Sequence, residues 1–198
     1  MSTCTHINHN LHIRSPVQQL ADHIEQIAFE NPILPGEYRY ASLPICVIDA
    51  VFSIGVRYSS TQRVVERFCE QCGWSCFADS RINRGEGEYS ISDLVALFQK
   101  NNFEEMARSV FKNRQRTSSK SGILKSEAVL LFCKALSEAR IETFQNFEPE
   151  RRDLAEATIL GLPGQSSGVS FDYFMMLAGD DNLIMSVVRV FGTKSGLT

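Results

Sequence analysis

Residues 159–179, "ILGLPGQSSGVSFDYFMMLAG", combine apolar segments with residues that are typical of turns. Proline, glycine and serine residues, at 162–168, interrupt two apolar segments. Glycine and proline in such a segment are typical of a turn, and the apolar segments on both sides have the length of helices. The stretch therefore predicts a helical hairpin over residues 153–179.

The turn of this hairpin has the chemistry of an anion site. Gly164 can adopt a positive φ, and Ser166 or Ser167 can cap the second helix. Main-chain amides that face outward at a helix N-terminus suit an anion, and phosphate in particular. The alternative is an ordinary connection between two helices, in which glycine and proline are also common.

Composition indicates a globular domain without a membrane segment. The chain has 198 residues, of which 43% are hydrophobic and 22% charged, which is enough for one compact core. No apolar run approaches the roughly eighteen residues of a membrane span, and the N-terminus lacks the pattern of a secretory signal. We therefore expect an intracellular protein without a membrane partner. The net charge of −3 gives no overall sign of a nucleic-acid partner.

Helical spacing of apolar residues dominates the rest of the chain, and no segment has the alternation of a strand. The capping box Ser90/Asp93 begins one helix, and the segment "NFEEMARSVFK" forms another. The other predicted helices lie at about 16–30, 43–57 (central and buried), 60–72, 122–140, 149–160 and 181–191. The predicted fold is all-α: a compact, two-lobed domain over residues 15–192, with a flexible tail at 1–14 and a short tail at 193–198.

A basic segment precedes the long helix at 122–140. Residues 106–126 include no acidic residue, and they carry the cationic residues Arg108, Lys112, Arg114, Arg116, Lys120 and Lys125. Serine and threonine lie between several of these cations, as in loops that face phosphate. An ordinary solvated surface is the alternative interpretation.

Three other parts of the sequence carry side chains that form metal or polar sites in proteins. Cys69, Cys72 and Cys76 have the spacing of a metal knuckle but lack a fourth ligand, so we predict reduced thiols, no metal and no cofactor. The histidines of the N-terminal tail are assigned no site. Asp49 lies inside the apolar central helix, so it needs a hydrogen-bonding partner, and we interpret it as a structural polar contact.

The hairpin resembles a known family. The phrase "LGLPGQSSGVSFDYFMMLAG" is similar to the helix-hairpin-helix of the base-excision DNA glycosylase superfamily, in which a Leu-Pro-Gly-x-Gly turn grips a DNA backbone phosphate. The segments "SGILKSEAVLLFCKALSEA" and "RRDLAEATILGLPG" resemble the elements that precede this hairpin. The likeness covers about residues 43–191, and the hairpin is its specific motif.

The resemblance implies an all-α protein that binds duplex DNA. The residues expected to contact DNA are those of the turn, Leu162, Pro163, Gly164, Gln165, Ser166, Ser167 and Gly168. The basic segment adds Arg114, Arg116, Lys120 and Lys125 as candidates for further phosphate contacts.

The catalytic positions of the family differ here. Gly168 stands where lyase-competent members have a lysine, so the resemblance implies at most a monofunctional N-glycosylase without lyase activity. Ile184 stands where the family has an aspartate, which leaves Asp181 as the nearest catalytic candidate. Asp181 can instead be the N-cap of the last helix. The alternatives are a catalytically inactive DNA-binding protein of this fold and a helical protein-interaction module.

Overall fold

The computed structural model describes residues 38–78 and 87–179. These two ranges are helical, and their only β-type pairings are two isolated bridges, so the predicted all-α class is confirmed. The helices are α1 (Leu43–Phe52), α2 (Tyr58–Cys72), α3 (Ile91–Lys100), α4 (Phe103–Glu105), α5 (Lys125–Glu138), α6 (Pro149–Leu160) and α7 (Val169–Ala178). The predicted helices at 16–30 and 181–191 and both predicted tails lie outside the described residues.

Helix α1 is the centre of the fold. All of its ten residues are buried, as the apolar sequence predicts, and α2, α5 and α7 pack around it. The helix ends at Phe52, before the predicted end at residue 57. Gly55 has a φ of 66°, and this left-handed conformation belongs to the turn that leads into α2.

Two predicted helix boundaries are confirmed in detail. Gly73 ends α2 in the left-handed conformation, with a φ of 68°. At the start of α3 the Asp93 amide donates to Ser90 Oγ at 3.1 Å, and the Ser90 amide donates to Asp93 Oδ2 at 2.7 Å. This is the reciprocal capping box that the sequence predicts.

Two other boundaries differ from the prediction. Helix α2 begins at Tyr58, two residues before the predicted start at residue 60, and it has no side-chain cap. The helix predicted in "NFEEMARSVFK" is the short α4, which continues as a π-helix over Met106–Val110. The π-helix leads directly to Phe111, whose ring lies 5.0 Å from Phe52 and 5.7 Å from Phe68. The π-helix therefore ends at the residue whose side chain packs against these two aromatic rings.

In the part of the chain that the structure describes, no helix combines the length and apolar character that a membrane span requires.

Candidate nucleic-acid interface

The predicted helical hairpin is present. Helices α6 and α7 are joined by residues 161–168, which we call the hairpin turn. Its internal hydrogen bonds run from the amide of Leu162 to Ile159 O at 2.9 Å, and from the Gln165 amide to Leu162 O at 3.0 Å. A third bond runs from the Gly168 amide to Gln165 O at 3.0 Å. These bonds hold the turn in one shape.

Part of the turn faces solvent. Gly164, Ser166 and Ser167 are exposed. Their amides donate no hydrogen bond to any of the described residues. The main-chain donors that the sequence predicts for anion binding are therefore accessible at this position.

The reason for glycine at residue 164 is internal to the protein. Gly164 has a φ of 81°, as predicted, and a Cβ placed there would lie 2.5 Å from Thr117 Oγ1. The hydroxyl of Thr117 also donates to Pro163 O at 3.2 Å. Thr117, 46 residues away in the sequence, thus makes a close approach to the backbone of the turn at Pro163 and Gly164.

The C-terminal end of the hairpin turn, where α7 begins, differs from the prediction. Gly168 is the N-cap of α7, with a φ of 75° and no side-chain cap, so the predicted cap by Ser166 or Ser167 is wrong. This conformation disfavours every residue with a Cβ, including the lysine of lyase-competent glycosylases. Gln165 is 2% exposed, and neither its amide oxygen nor its amide nitrogen finds a partner among the described residues.

Thr117 belongs to a folded segment, residues 112–124, which we call the basic loop. Its two arms pair through the bond from the Thr117 amide to Ile123 O at 2.9 Å and the antiparallel bridge between Arg116 and Leu124. A Cβ at Gly122 would lie 2.1 Å from the Ser118 amide nitrogen, so glycine is required for this closure. The loop has a defined shape and rests on the hairpin turn through Thr117.

The predicted cations of the basic loop are mostly at the surface. Arg114, Arg116 and Lys120 are exposed. Arg116 also donates from its guanidinium to Gly122 O at 2.8 Å, which directs part of its donor set into the loop. Arg114 and Lys120 make no ion pair with a described residue, so their charges face solvent.

Lys125 does not lie on this surface. It is 1% exposed, and its Nζ donates to Phe52 O at 2.9 Å and to Ile54 O at 2.7 Å. Burial lowers the pKa of Lys125 from 10.5 to about 8. The prediction of a phosphate contact assumed an exposed ammonium, but this ammonium caps the C-terminal end of α1.

One carboxylate lies close to the hairpin turn. Asp172 is exposed in the first turn of α7, where it complements the positive end of the helix dipole. Partial burial raises the pKa of Asp172 above its ordinary value. Its charge opposes an anion at the same helix end.

Comparison with known proteins places the chain in a family. A family model described as a domain of unknown function (DUF8548) matches residues 18–192. The chain belongs to this family. No curated protein and no solved structure matches the chain. The DUF8548 match includes both the hairpin turn and the basic loop, so the two segments in contact belong to one domain.

The catalytic candidate of the sequence, Asp181, lies outside the described residues, as do Ile184 and the three histidines of the N-terminal tail. The carboxylate that the structure does describe deep in the domain is Asp49. It accepts hydrogen bonds from Tyr40 at 2.6 Å, from Ser53 at 2.8 Å and from Tyr173 at 3.5 Å. Burial raises the pKa of Asp49 from 3.8 to about 6, although these hydroxyl donors act in the opposite direction. Asp49 is the buried polar contact that the sequence predicts.

The cysteines of the described ranges are all free thiols. Within those ranges no group of three or more histidine, cysteine or acidic residues is arranged to hold a metal ion. Cys69 and Cys72 lie in the last turn of α2, and Cys76 follows the left-handed turn at Gly73.

Proposed function

We propose that this protein binds duplex DNA through its phosphate backbone, using the hairpin turn and the basic loop as one continuous surface. The observation that carries the proposal is the contact of Thr117 with the turn at Pro163 and Gly164. This contact joins exposed main-chain donors to exposed cations, which is the combination by which proteins bind phosphate.

The hairpin turn contributes directional hydrogen bonds. The amides of Gly164, Ser166 and Ser167 are free of bonds to other described residues and lie just before the N-terminus of α7. A phosphate at this position would accept from these amides and interact favourably with the helix dipole. Because the turn is held by its own hydrogen bonds, little conformational entropy is lost when the phosphate binds.

The basic loop contributes charge. Arg114 and Lys120 lie three residues to either side of Thr117, so both are anchored close to the turn. Each cation that neutralises a DNA phosphate releases a counterion, and binding then weakens as salt increases. Lys125 has no part in this surface because its ammonium is buried.

The test is fluorescence anisotropy of a labelled duplex at increasing salt concentration. The variant Arg114→Ala/Lys120→Ala removes two cations from the loop, and Lys100→Ala/Lys134→Ala, at exposed positions of α3 and α5, removes two cations elsewhere. The slope of log affinity against log salt is negative. We expect its magnitude to decrease by about 2 for the loop variant and to stay unchanged for the control.

An equal decrease of this magnitude in both variants would mean that only the net charge of the protein matters. It would refute the proposal that the hairpin turn and the basic loop form the DNA-binding surface. Absence of salt-sensitive binding in the unmodified protein would refute DNA binding and favour the helical protein-interaction module. The outcome therefore separates a specific phosphate surface from general attraction to a polyanion.

The second part of the proposal is hydrolysis of the N-glycosidic bond without lyase activity, with Asp181 as the catalytic residue. It rests on the resemblance of the hairpin, and Gly168 is the reason to expect no Schiff base. The test is strand scission by alkali after incubation with duplexes that carry a deaminated, oxidised or alkylated base. We expect scission that is lost in Asp181→Asn. DNA binding without scission of any such duplex would refute the enzymatic part alone.

A further inference from the structure

The tip of the basic loop carries hydroxyls that the proposed function does not use. Ser118, Ser119 and Ser121 are exposed there. The bond from the Thr117 amide to Ile123 O at 2.9 Å closes the loop behind them, so these side chains are presented at a turn. Exposed loop tips with small polar residues are the positions that other enzymes reach most easily.

The charges that precede Ser119 distinguish it from the other hydroxyls of the chain. Arg116 lies three residues before Ser119, and Arg114 lies five residues before it. No other serine or threonine of the sequence has arginine at both positions. Kinases that select substrates by charge hold such arginines with carboxylates, each of which accepts two parallel hydrogen bonds from a guanidinium. The sequence around Ser119 therefore fits an arginine-directed serine kinase.

Exposure selects Ser119 among the hydroxyls that follow an arginine by three residues. The other four in the sequence, each with a single arginine, are Ser42, Ser60, Thr117 and Thr143. Ser42 and Thr117 are buried, and Ser60 and Thr143 are half-buried. A kinase must bring the acceptor hydroxyl into line with the γ-phosphate of ATP, which requires an accessible side chain. Ser119 is exposed and meets this requirement.

We propose that Ser119 is a phosphorylation site for an arginine-directed serine kinase, and that the phosphate weakens DNA binding by the basic loop. In the reaction the Ser119 hydroxyl oxygen attacks the γ-phosphorus of ATP, the bond from this phosphorus to the bridging oxygen breaks, and ADP leaves. The hydroxyl proton passes to a carboxylate of the kinase. One serine and one ATP give one phosphoserine, one ADP and one proton. The site does not depend on the proposed function, whereas its effect on DNA binding rests on it.

The position of the phosphate is the reason for this effect. Ser119 lies two residues from Thr117, which contacts the hairpin turn, so their Cα atoms are at most about 7 Å apart. A phosphoserine carries a charge of about −1.5 to −2 at neutral pH. This charge offsets those of the exposed Arg114 and Lys120 and repels a DNA phosphate at the turn.

The first test maps the modification. The full-length protein is incubated with magnesium ATP and protein kinase B, which selects serines with arginine at these two positions. Cleavage after glutamate then gives residues 106–127 as one peptide, and fragmentation in the mass spectrometer locates the phosphate within it. We expect one added phosphate, about 80 Da, at Ser119.

Matched variants separate recognition of arginine from simple exposure. Ser119→Ala should abolish this phosphate, and Arg114→Ala should slow its incorporation by about tenfold, because one charge-assisted pair with the kinase is lost. Ser121→Ala removes an exposed serine of the same loop and should leave the phosphate unchanged. A phosphate mainly at another residue, an equal rate in Arg114→Ala, or no phosphate in the unmodified protein would overturn the assignment of the site.

The second test compares the phosphorylated and unphosphorylated proteins in the anisotropy assay. We expect phosphorylation to weaken duplex binding by about tenfold and to decrease the magnitude of the salt slope by about 2. Kinase-treated Ser119→Ala should bind like the same variant without treatment. Equal affinity of the two forms would overturn the effect on DNA binding. Absence of DNA binding by the unphosphorylated protein would refute the proposed function together with this effect, and the mapping alone then decides the site.

Discussion

Replacement of Asp49 by asparagine should change how the stability of the protein depends on pH. Asp49 has no exposed surface, and its carboxylate is surrounded by the hydroxyls of Tyr40, Ser53 and Tyr173. Asparagine has nearly the same shape, and its side-chain oxygen can accept from Tyr40 while its nitrogen donates to another hydroxyl. The substitution therefore removes the ionisation with little change in packing.

The magnitude follows from the pKa of the buried carboxyl. Burial raises the pKa of Asp49 from 3.8 to about 6. Between these values the unfolded chain has lost the proton that the folded protein still holds, so the folded state loses stability as the pH rises. Above pH 6 the ionised Asp49 should lower the free energy of unfolding by about 3 kcal/mol relative to its value below pH 3.8.

The measurement is urea denaturation of both proteins at several pH values from 3.5 to 7. We expect the free energy of unfolding of Asp49→Asn, minus that of the unmodified protein, to increase by about 3 kcal/mol across this interval. The titration of all other groups cancels in the difference. A matched control is Glu138→Gln, which removes an exposed carboxyl at the end of α5 and should give a nearly constant difference.

Parallel stability curves for Asp49→Asn and the unmodified protein would refute the reasoning. They would mean that the hydroxyl donors compensate the carboxylate fully for its burial, and that the pKa of Asp49 in the folded protein is ordinary. A difference that decreases with pH would mean that these donors outweigh burial.

Three further substitutions test other contacts. Lys125→Met should lower the free energy of unfolding by about 3 kcal/mol in urea denaturation, because two carbonyls at the end of α1 lose a charged donor; a loss near zero would show that water replaces the ammonium. Gly164→Ala should lower the free energy of unfolding by about 2 kcal/mol, because Gly164 has a positive φ and contacts Thr117. Gly161→Ala, at a φ of −75°, should lower it little. Similar losses for both variants would contradict this account. Asp172→Asn should tighten duplex binding a few-fold in the anisotropy assay, because a negative charge leaves the hairpin; weaker binding would contradict a phosphate at this helix end.

Helix boundaries that depend on neighbouring residues were predictable. Two examples are the capping box of Ser90 and Asp93 and the left-handed Gly73. Each depends on interactions within a few residues of the chain, so the sequence alone predicts it. The burial of α1 was equally clear, because a helix that is apolar on every side has no face for solvent. The positive φ of Gly164 belongs to the same group.

The partners of the site residues were not predictable in this way. Lys125 has the same local sequence signal as the exposed cations before it, yet it bonds to carbonyls as far as 73 residues away. The contact of Thr117 with the hairpin turn joins residues 46 positions apart, and no local or periodic pattern in the sequence predicts it. Asp49 needed a partner by its burial alone. Ser53, one turn further along the chain, supplies one hydroxyl, but only packing of α7 and the segment at Tyr40 against α1 supplies the two tyrosine hydroxyls. Local chemistry thus decides helix boundaries such as those at Ser90 and Gly73, whereas the folding of distant segments onto each other decides which charges reach the surface.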